Sequence, residues 1–185
     1  MGVFQGHQVS SILFEIILAV FWLILILLYG YPKVAKGMRF RDWFYLYVFI
    51  LVMPNSTYAF FELKHLLVVG LMAEPLNGLS VLVFGSVALL GFLMSILQSQ
   101  LFAKHYTLGK KRNWIHLAVS LILGFGAVAG EMNYASIVAV IFPFSLIDMA
   151  FHLLASPGLI GIALATATLL FFYNLLVDHL HKPSP

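Results

Sequence analysis

The stretch 9–31 carries one acidic residue, Glu15, and no basic one. As a helix it is long enough to cross the roughly 30 Å apolar core of a bilayer. Comparable runs cover 43–69, interrupted at Pro54-Asn55, then 78–103, and a last one to about 177 after the helix-breaking Ser156-Pro157-Gly158. The stretch 114–154 is too long for one pass and reads as a hairpin turning near 131–135. With 62% of its 185 residues hydrophobic and only 9% charged, the chain could not hide its apolar surface in a water-soluble fold. The expectation is an all-α polytopic transmembrane helix bundle of about six spans. It forms a single domain, 1–185, covered by the lipid bilayer, with its second span broken at Pro54-Asn55.

Charge placement orients the bundle. Eight of the ten Lys and Arg residues fall in two short loops, 32–42 and 104–113, which alternation puts on one side. The positive-inside rule makes that side cytoplasmic, so both termini face outward. If 114–154 is instead one re-entrant element, the C-terminus moves to the cytoplasmic side. The first run is not expected to be a cleaved signal, since no basic residue precedes it and no small-x-small site follows. The net charge of +3 comes from those loops and forms no basic face, so nucleic acid is not an expected partner. The absence of cysteine excludes disulfides and thiolate chemistry. The chain contains no phosphate-binding glycine loop, no His-Glu-x-x-His motif and no Gly-x-Ser-x-Gly elbow. Nothing in the linear order arranges Ser, His and Asp as a triad, and no cofactor is named by any motif.

The most informative segment is 53–66. A proline inside a helix removes one backbone hydrogen bond and crowds the preceding turn. Such an interruption within a span survives where protein or a wet cavity satisfies the backbone. Asn55, Tyr58, Glu62 and His65 follow at spacings of three, four and three, so they share one helix face within roughly 80°. Lys64 points nearly opposite. Glu62 and His65 can hydrogen-bond each other, share a ligand, or supply half of a metal site, which makes them the metal candidates. The competing reading is structural, with Asn55 capping the helix and the other two burying each other's polarity. A second set, Ser145, Asp148 and His152, shares a face after Pro143 and offers another carboxylate–imidazole pair. Together the candidate ligand or ion path is Asn55, Tyr58, Glu62, His65, Asp148 and His152, because ionisable groups inside spans are costly and mark pathways.

Other residues carry blander expectations. Glu15 pairs inward and Glu131 sits in a turn. Asp178, His179 and His181 form a solvated tail, and His7 and His116 are interfacial. Trp22 packs in the membrane, while Trp43 and Trp114 anchor at its interface. The pairs Gly126/Gly130, Gly161/Ala165 and Ala163/Ala167 allow close helix approach, either within this chain or to a second copy or another membrane protein.

The segment Pro54-Asn55-Ser56-Thr57-Tyr58, followed by Glu62-Leu63-x-His65-Leu66, resembles the signature of a bacterial membrane family known as domain of unknown function 1361. That signature reads Pro-Asn-Ala-Pro-Tyr, then Asp-Leu-x-His-Leu. Ser56-Thr57 departs from the Ala-Pro pair, and Glu62 replaces the aspartate. Gly91-Phe92-Leu93-Met94-Ser95 falls where the family has a Gly- and Ser-bearing third span. After the fourth span the family's Gly-Arg and Arg-x-Asn-Ser-Trp-Asp are replaced here by Gly130-Glu131-Met132-Asn133-Tyr134-Ala135-Ser136. The resemblance implies a distant member in a bacterial inner membrane and names no reaction. Three functions are therefore carried forward. They are a small transporter or permease with its path on the broken second helix, a non-catalytic membrane subunit or assembly factor, and a membrane enzyme using Glu62 and His65.

Overall fold

The computed structural model describes residues 5–32, 38–61, 78–106, 112–131 and 144–180. Every regular element among them is an α-helix. We number these α1 (Gln5–Tyr29), α2 (Phe40–Val52), α3 (Asn55–Phe60), α4 (Gly78–Tyr106), α5 (Arg112–Glu131), α6 (Ser145–Leu154) and α7 (Pro157–Leu180). Three of them, α4, α5 and α7, are long and apolar enough to cross a membrane.

Local chemistry sets the element ends. α1 stops at Gly30, whose φ of 74° is the left-handed cap that a residue with a Cβ resists. The Gly30 N–H closes the last turn on the Ile26 carbonyl at 2.8 Å. α2 opens where the Asp42 carboxylate accepts the Arg39 backbone N–H at 3.2 Å. α7 opens with Pro157 at its first position, where a missing N–H costs nothing.

The expected interruption of the second span is gentler than a loop. Pro54 has no N–H to offer Ile50, which ends α2. Yet Met53 (φ −50°, ψ −46°) and Pro54 (φ −65°, ψ −15°) keep right-handed helical angles. The Tyr58 N–H then takes the Pro54 carbonyl at 2.8 Å, so α3 follows directly.

Glycines let three helices meet at α3. A Cβ on Gly91 of α4 would lie 2.6 Å from both the Phe60 nitrogen and the Ser56 carbonyl oxygen. A Cβ on Gly126 of α5 would lie 2.1 Å from the Pro54 ring, and one on Gly130 would lie 2.9 Å from the Tyr58 ring. The pair Gly126/Gly130 is thus the seat of the pair Pro54/Tyr58. On the other side of α5, a Cβ on Gly124 would come within 2.5 Å of the Ala163 carbonyl oxygen. Ala163 and Ala167 are buried, as packing positions should be. Gly161 and Ala165 are exposed and Gly161 has open space where its side chain would be, so this pair is not an internal packing position among the described residues. Around this centre lies an apolar cluster of Trp22, Leu25, Phe49, Val52, Met53, Val119, Leu123 and Leu170.

α7 runs antiparallel to α5. Gly124 faces Ala163 and Ala167, while Asp178 meets Arg112 and His116. The C-terminal end of α7 therefore lies beside the start of α5, at the end of the bundle that carries Lys104 and Arg112. The expectation that the last helix ends on the opposite side is corrected by this contact. The chain leaves α5 and enters α7 at the same end, which is the geometry of the re-entrant alternative.

The close approaches predict a contrast between two glycines. Gly91→Ala should lower resistance to unfolding in a detergent titration by about 1–3 kcal/mol, because backbone atoms block the new methyl. Gly161→Ala should leave stability unchanged or raise it by up to about 1 kcal/mol through helix propensity. Equal stability of the two variants would contradict the packing.

Candidate functional site

Polar side chains within the helices form two connected groups. The first joins α3 to α4. Thr57 Oγ1 and Ser95 Oγ lie 2.8 Å apart, and Ser95 Oγ also reaches the Gly91 carbonyl at 2.8 Å and Ser56 Oγ at 3.3 Å. Ser56 Oγ lies 3.0 Å from both the Met53 carbonyl and Gln98 Oε1. All four side chains are fully buried. Each hydroxyl has one proton, and Ser56 and Ser95 each have more than one acceptor in reach, so the group can redistribute its hydrogens without moving heavy atoms.

The second group joins α4, α5 and α7. Arg112 grips the Asp178 carboxylate with two bonds, Nε to Oδ2 at 2.6 Å and Nη2 to Oδ1 at 2.7 Å. This is the bidentate fork that makes arginine pairs strong. The same Nη2 donates to Gln100 Oε1 at 2.8 Å, and Gln100 Nε2 donates to the Asn174 carbonyl and to Asn174 Oδ1, both at 3.1 Å. Asn174 Nδ2 closes onto the Leu170 carbonyl at 2.8 Å. His116 stands between the aqueous end and the interior. Its Nε2 lies 3.1 Å from Asp178 Oδ2 and its Nδ1 lies 2.8 Å from Ser99 Oγ.

The network assigns the imidazole tautomer. A carboxylate held by arginine only accepts, so neutral His116 carries its proton on Nε2 and its bare Nδ1 accepts the Ser99 hydroxyl. Adding a proton makes both nitrogens donors, and the Ser99 hydroxyl must then turn away and accept. Protonation of His116 is thus coupled to the orientation of Ser99. His116 and Ser99 are fully buried, while Asp178 is 15% and Arg112 40% exposed. Ser99, His116 and Asp178 form the hydrogen-bonded order of a catalytic triad. The serine is on Nδ1 and the carboxylate on Nε2, the reverse of that triad, and the linear order gave no sign of the contact, which three helices bring together. The serine is sealed from any substrate, so the arrangement can relay a proton but cannot attack an external group. Gln98 Nε2, Ser120 Oγ and Trp22 Nε1 are buried and find no partner among the described residues. Gln98 adjoins Ser99 in sequence, and Ser120 lies one helical turn beyond His116.

The residues expected from sequence fall in different places. Tyr58 is half-buried on Gly130, and Asn55 is half-buried at the start of α3. Glu62 and His65 lie outside the described residues. Asp148 and His152 do pair, Oδ1 to Nε2 at 3.6 Å, but at more than 60% exposure each, away from the buried groups. Among the described residues no group of three His, Asp or Glu side chains could hold a metal. The described surface hollow lined by Ala165, Thr168, Leu169, Phe172 and Tyr173 is apolar and open. Asp178, expected in a solvated tail, and His116, expected at an interface, are corrected, since both belong to the buried clamp. Their signal was present in the spacing. Ser95, Gln98 and Ser99 recur at helical intervals in an apolar span, as do His116/Ser120 and Asn174/Asp178.

Set against protein-family models, curated proteins and solved structures, the chain matches none.

The clamp predicts measurable coupling. Asp178→Asn should destabilise the folded protein by about 2 kcal/mol, since it weakens charge-assisted bonds to Arg112 and His116. A double-mutant cycle of Asp178→Asn with His116→Ala, read by unfolding in detergent, should give a coupling above about 0.5 kcal/mol. Strict additivity would contradict the direct contact.

Proposed function

We propose that the chain is a small integral membrane transport protein whose path carries protons, with His116 as the titrating station. One observation carries the reading: a fully buried imidazole bonded on one side to Asp178 at the wetter rim and on the other to the interior hydroxyl of Ser99. Intramembrane ionisable groups of this kind are costly and serve pathways. A proton delivered by the Ser99 hydroxyl adds to His116 Nδ1 and the proton on Nε2 leaves to Asp178; inward transfer is the reverse, Asp178 returning a proton to Nε2 as Nδ1 releases one to Ser99. From Ser99 the way inward leads to Gln98 and the Ser56–Ser95–Thr57 hydroxyls. The buried donors at Gln98 and Ser120 supply polar partners for a bridging water. Glu62 and His65 are assigned to the same path on the sequence pattern alone.

In this reading the bilayer is crossed by α1, by the segment containing α2 and α3, and by α4, α5 and α7. The basic segments lie in the cytoplasm and the C-terminus lies with them. The kinship with domain of unknown function 1361, and with it a bacterial inner membrane, rests on the motif at 54–66. A second reading has support of its own. Arg112, Gln100, Asn174 and Asp178 satisfy one another so fully that they would serve equally as a lock holding a non-catalytic subunit together.

Proteoliposomes with an entrapped pH-sensitive dye separate the two. Under an imposed proton gradient the wild-type chain should dissipate it faster than empty vesicles. His116→Gln should cut that rate by about a hundredfold, and Glu62→Gln and His65→Ala should each slow it more than Glu74→Gln. Wild-type vesicles as tight as empty ones, or undiminished flux in His116→Gln, would discard the transport reading and leave the subunit.

A further inference from the structure

Helix α6 lies between two helices that meet at the same end of the bundle. At 10 residues it spans about 15 Å, half of the bilayer core, so it does not cross by itself. Its sides are chemically distinct. Phe144, just before the helix, and Ile147, Phe151 and Leu154 are 82%, 55%, 69% and 70% exposed. Their spacing puts them within an arc of about 80°. Asp148 and His152, paired at 3.6 Å, occupy a second face roughly 100° away. Leu153, the buried residue of α6, points to a third, where it joins Val128 of α5 and Ala163 of α7.

That last residue limits the geometry. Leu153 is buried and Ser145, Leu146 and Met149, on the same side, are half-buried, so α6 rests one flank on the bundle and turns its other faces away from it. Four large apolar side chains turned away from the bundle need a cover, and the start of α7 also exposes apolar side chains, at Ile162 and Leu164. The water-exposed ion pair on the adjoining face fixes how deep that cover reaches. An apolar face beside a polar one is the signature of a helix lying in the plane of the interface.

We infer that α6 lies in the membrane interface at the end of the bundle opposite the basic segments. Phe144, Ile147, Phe151 and Leu154 insert among the upper acyl chains, while Asp148 and His152 face the headgroup water. The occupant of the apolar face is lipid, and because α6 carries no Lys or Arg, zwitterionic lipid suffices.

The chain has no cysteine, so one substitution gives one label. Ile147→Cys, Phe151→Cys and Asp148→Cys, all at exposed positions, are labelled with an environment-sensitive fluorophore on the full chain in phosphatidylcholine vesicles. Lipids carrying a nitroxide near the headgroup should quench the labels at 147 and 151 about twofold or more beyond lipids with a nitroxide at the bilayer centre. The label at 148 should be quenched by aqueous iodide. Stronger quenching from the bilayer centre at both apolar positions would make α6 a membrane-dipping element and overturn the inference. Quenching of 147 and 151 by neither lipid would also overturn it, leaving a protein partner or a second copy as the cover.

Discussion

A carboxylate largely buried among apolar helices keeps its charge only if other groups stand in for water, and Asp178 has Arg112 on both oxygens and His116 on one. Breaking such a pair leaves an uncompensated charge, which costs far more than the pair itself is worth. The contact thereby holds the end of α7 to the start of α5, and the rest of the arrangement follows. α7 becomes antiparallel to α5, Ala163 and Ala167 come down onto Gly124, and Asn174 reaches Gln100 on α4. Fixing α7 in turn brings the chain back to the end where α5 finished, which leaves α6 at the edge of the bundle.

The opposite half of the structure is held by shape more than by charge. α3 is a short helix after a proline, poor in stability of its own. It is held because Gly91 on one side and Gly126 and Gly130 on the other leave room for its backbone, Pro54 and Tyr58. The close approach to α4 brings Ser56 and Thr57 within bonding distance of Gln98 and Ser95. Packing and polarity therefore support each other: without the glycine the hydroxyls could not meet, and unmet they would be expensive to bury.

Much of the fold was legible because apolar runs, glycine pairs and a proline act locally. The helices and the break at Pro54 follow from neighbours in sequence, as does the close approach that Gly126 and Gly130 allow, but not the partner they seat. The direction of α7 was not legible, since it depends on Asp178 finding Arg112 across the bundle, and hydropathy alone cannot tell an odd from an even number of crossings. The same gap hid the Ser99–His116–Asp178 chain of contacts. His116 sits beside Trp114 and the basic segment, so it read as interfacial, and only the burial contributed by α4 and α7 makes it an interior group. Conversely, Asp148 and His152 have the spacing of a site, but their helix lies at the edge, where the pair is solvated. Spacing identifies which polar residues share a face, and the tertiary fold decides whether that face is inside.

The direction of α7 is open to one direct measurement. Single cysteines at Lys104 and at His179, both exposed, are placed in separate variants and probed in sealed vesicles of known orientation with a membrane-impermeant maleimide. The account predicts that both react from the same face of the membrane. Labelling of the two from opposite faces would separate the end of α7 from the start of α5, and the Arg112–Asp178–His116 clamp could not exist.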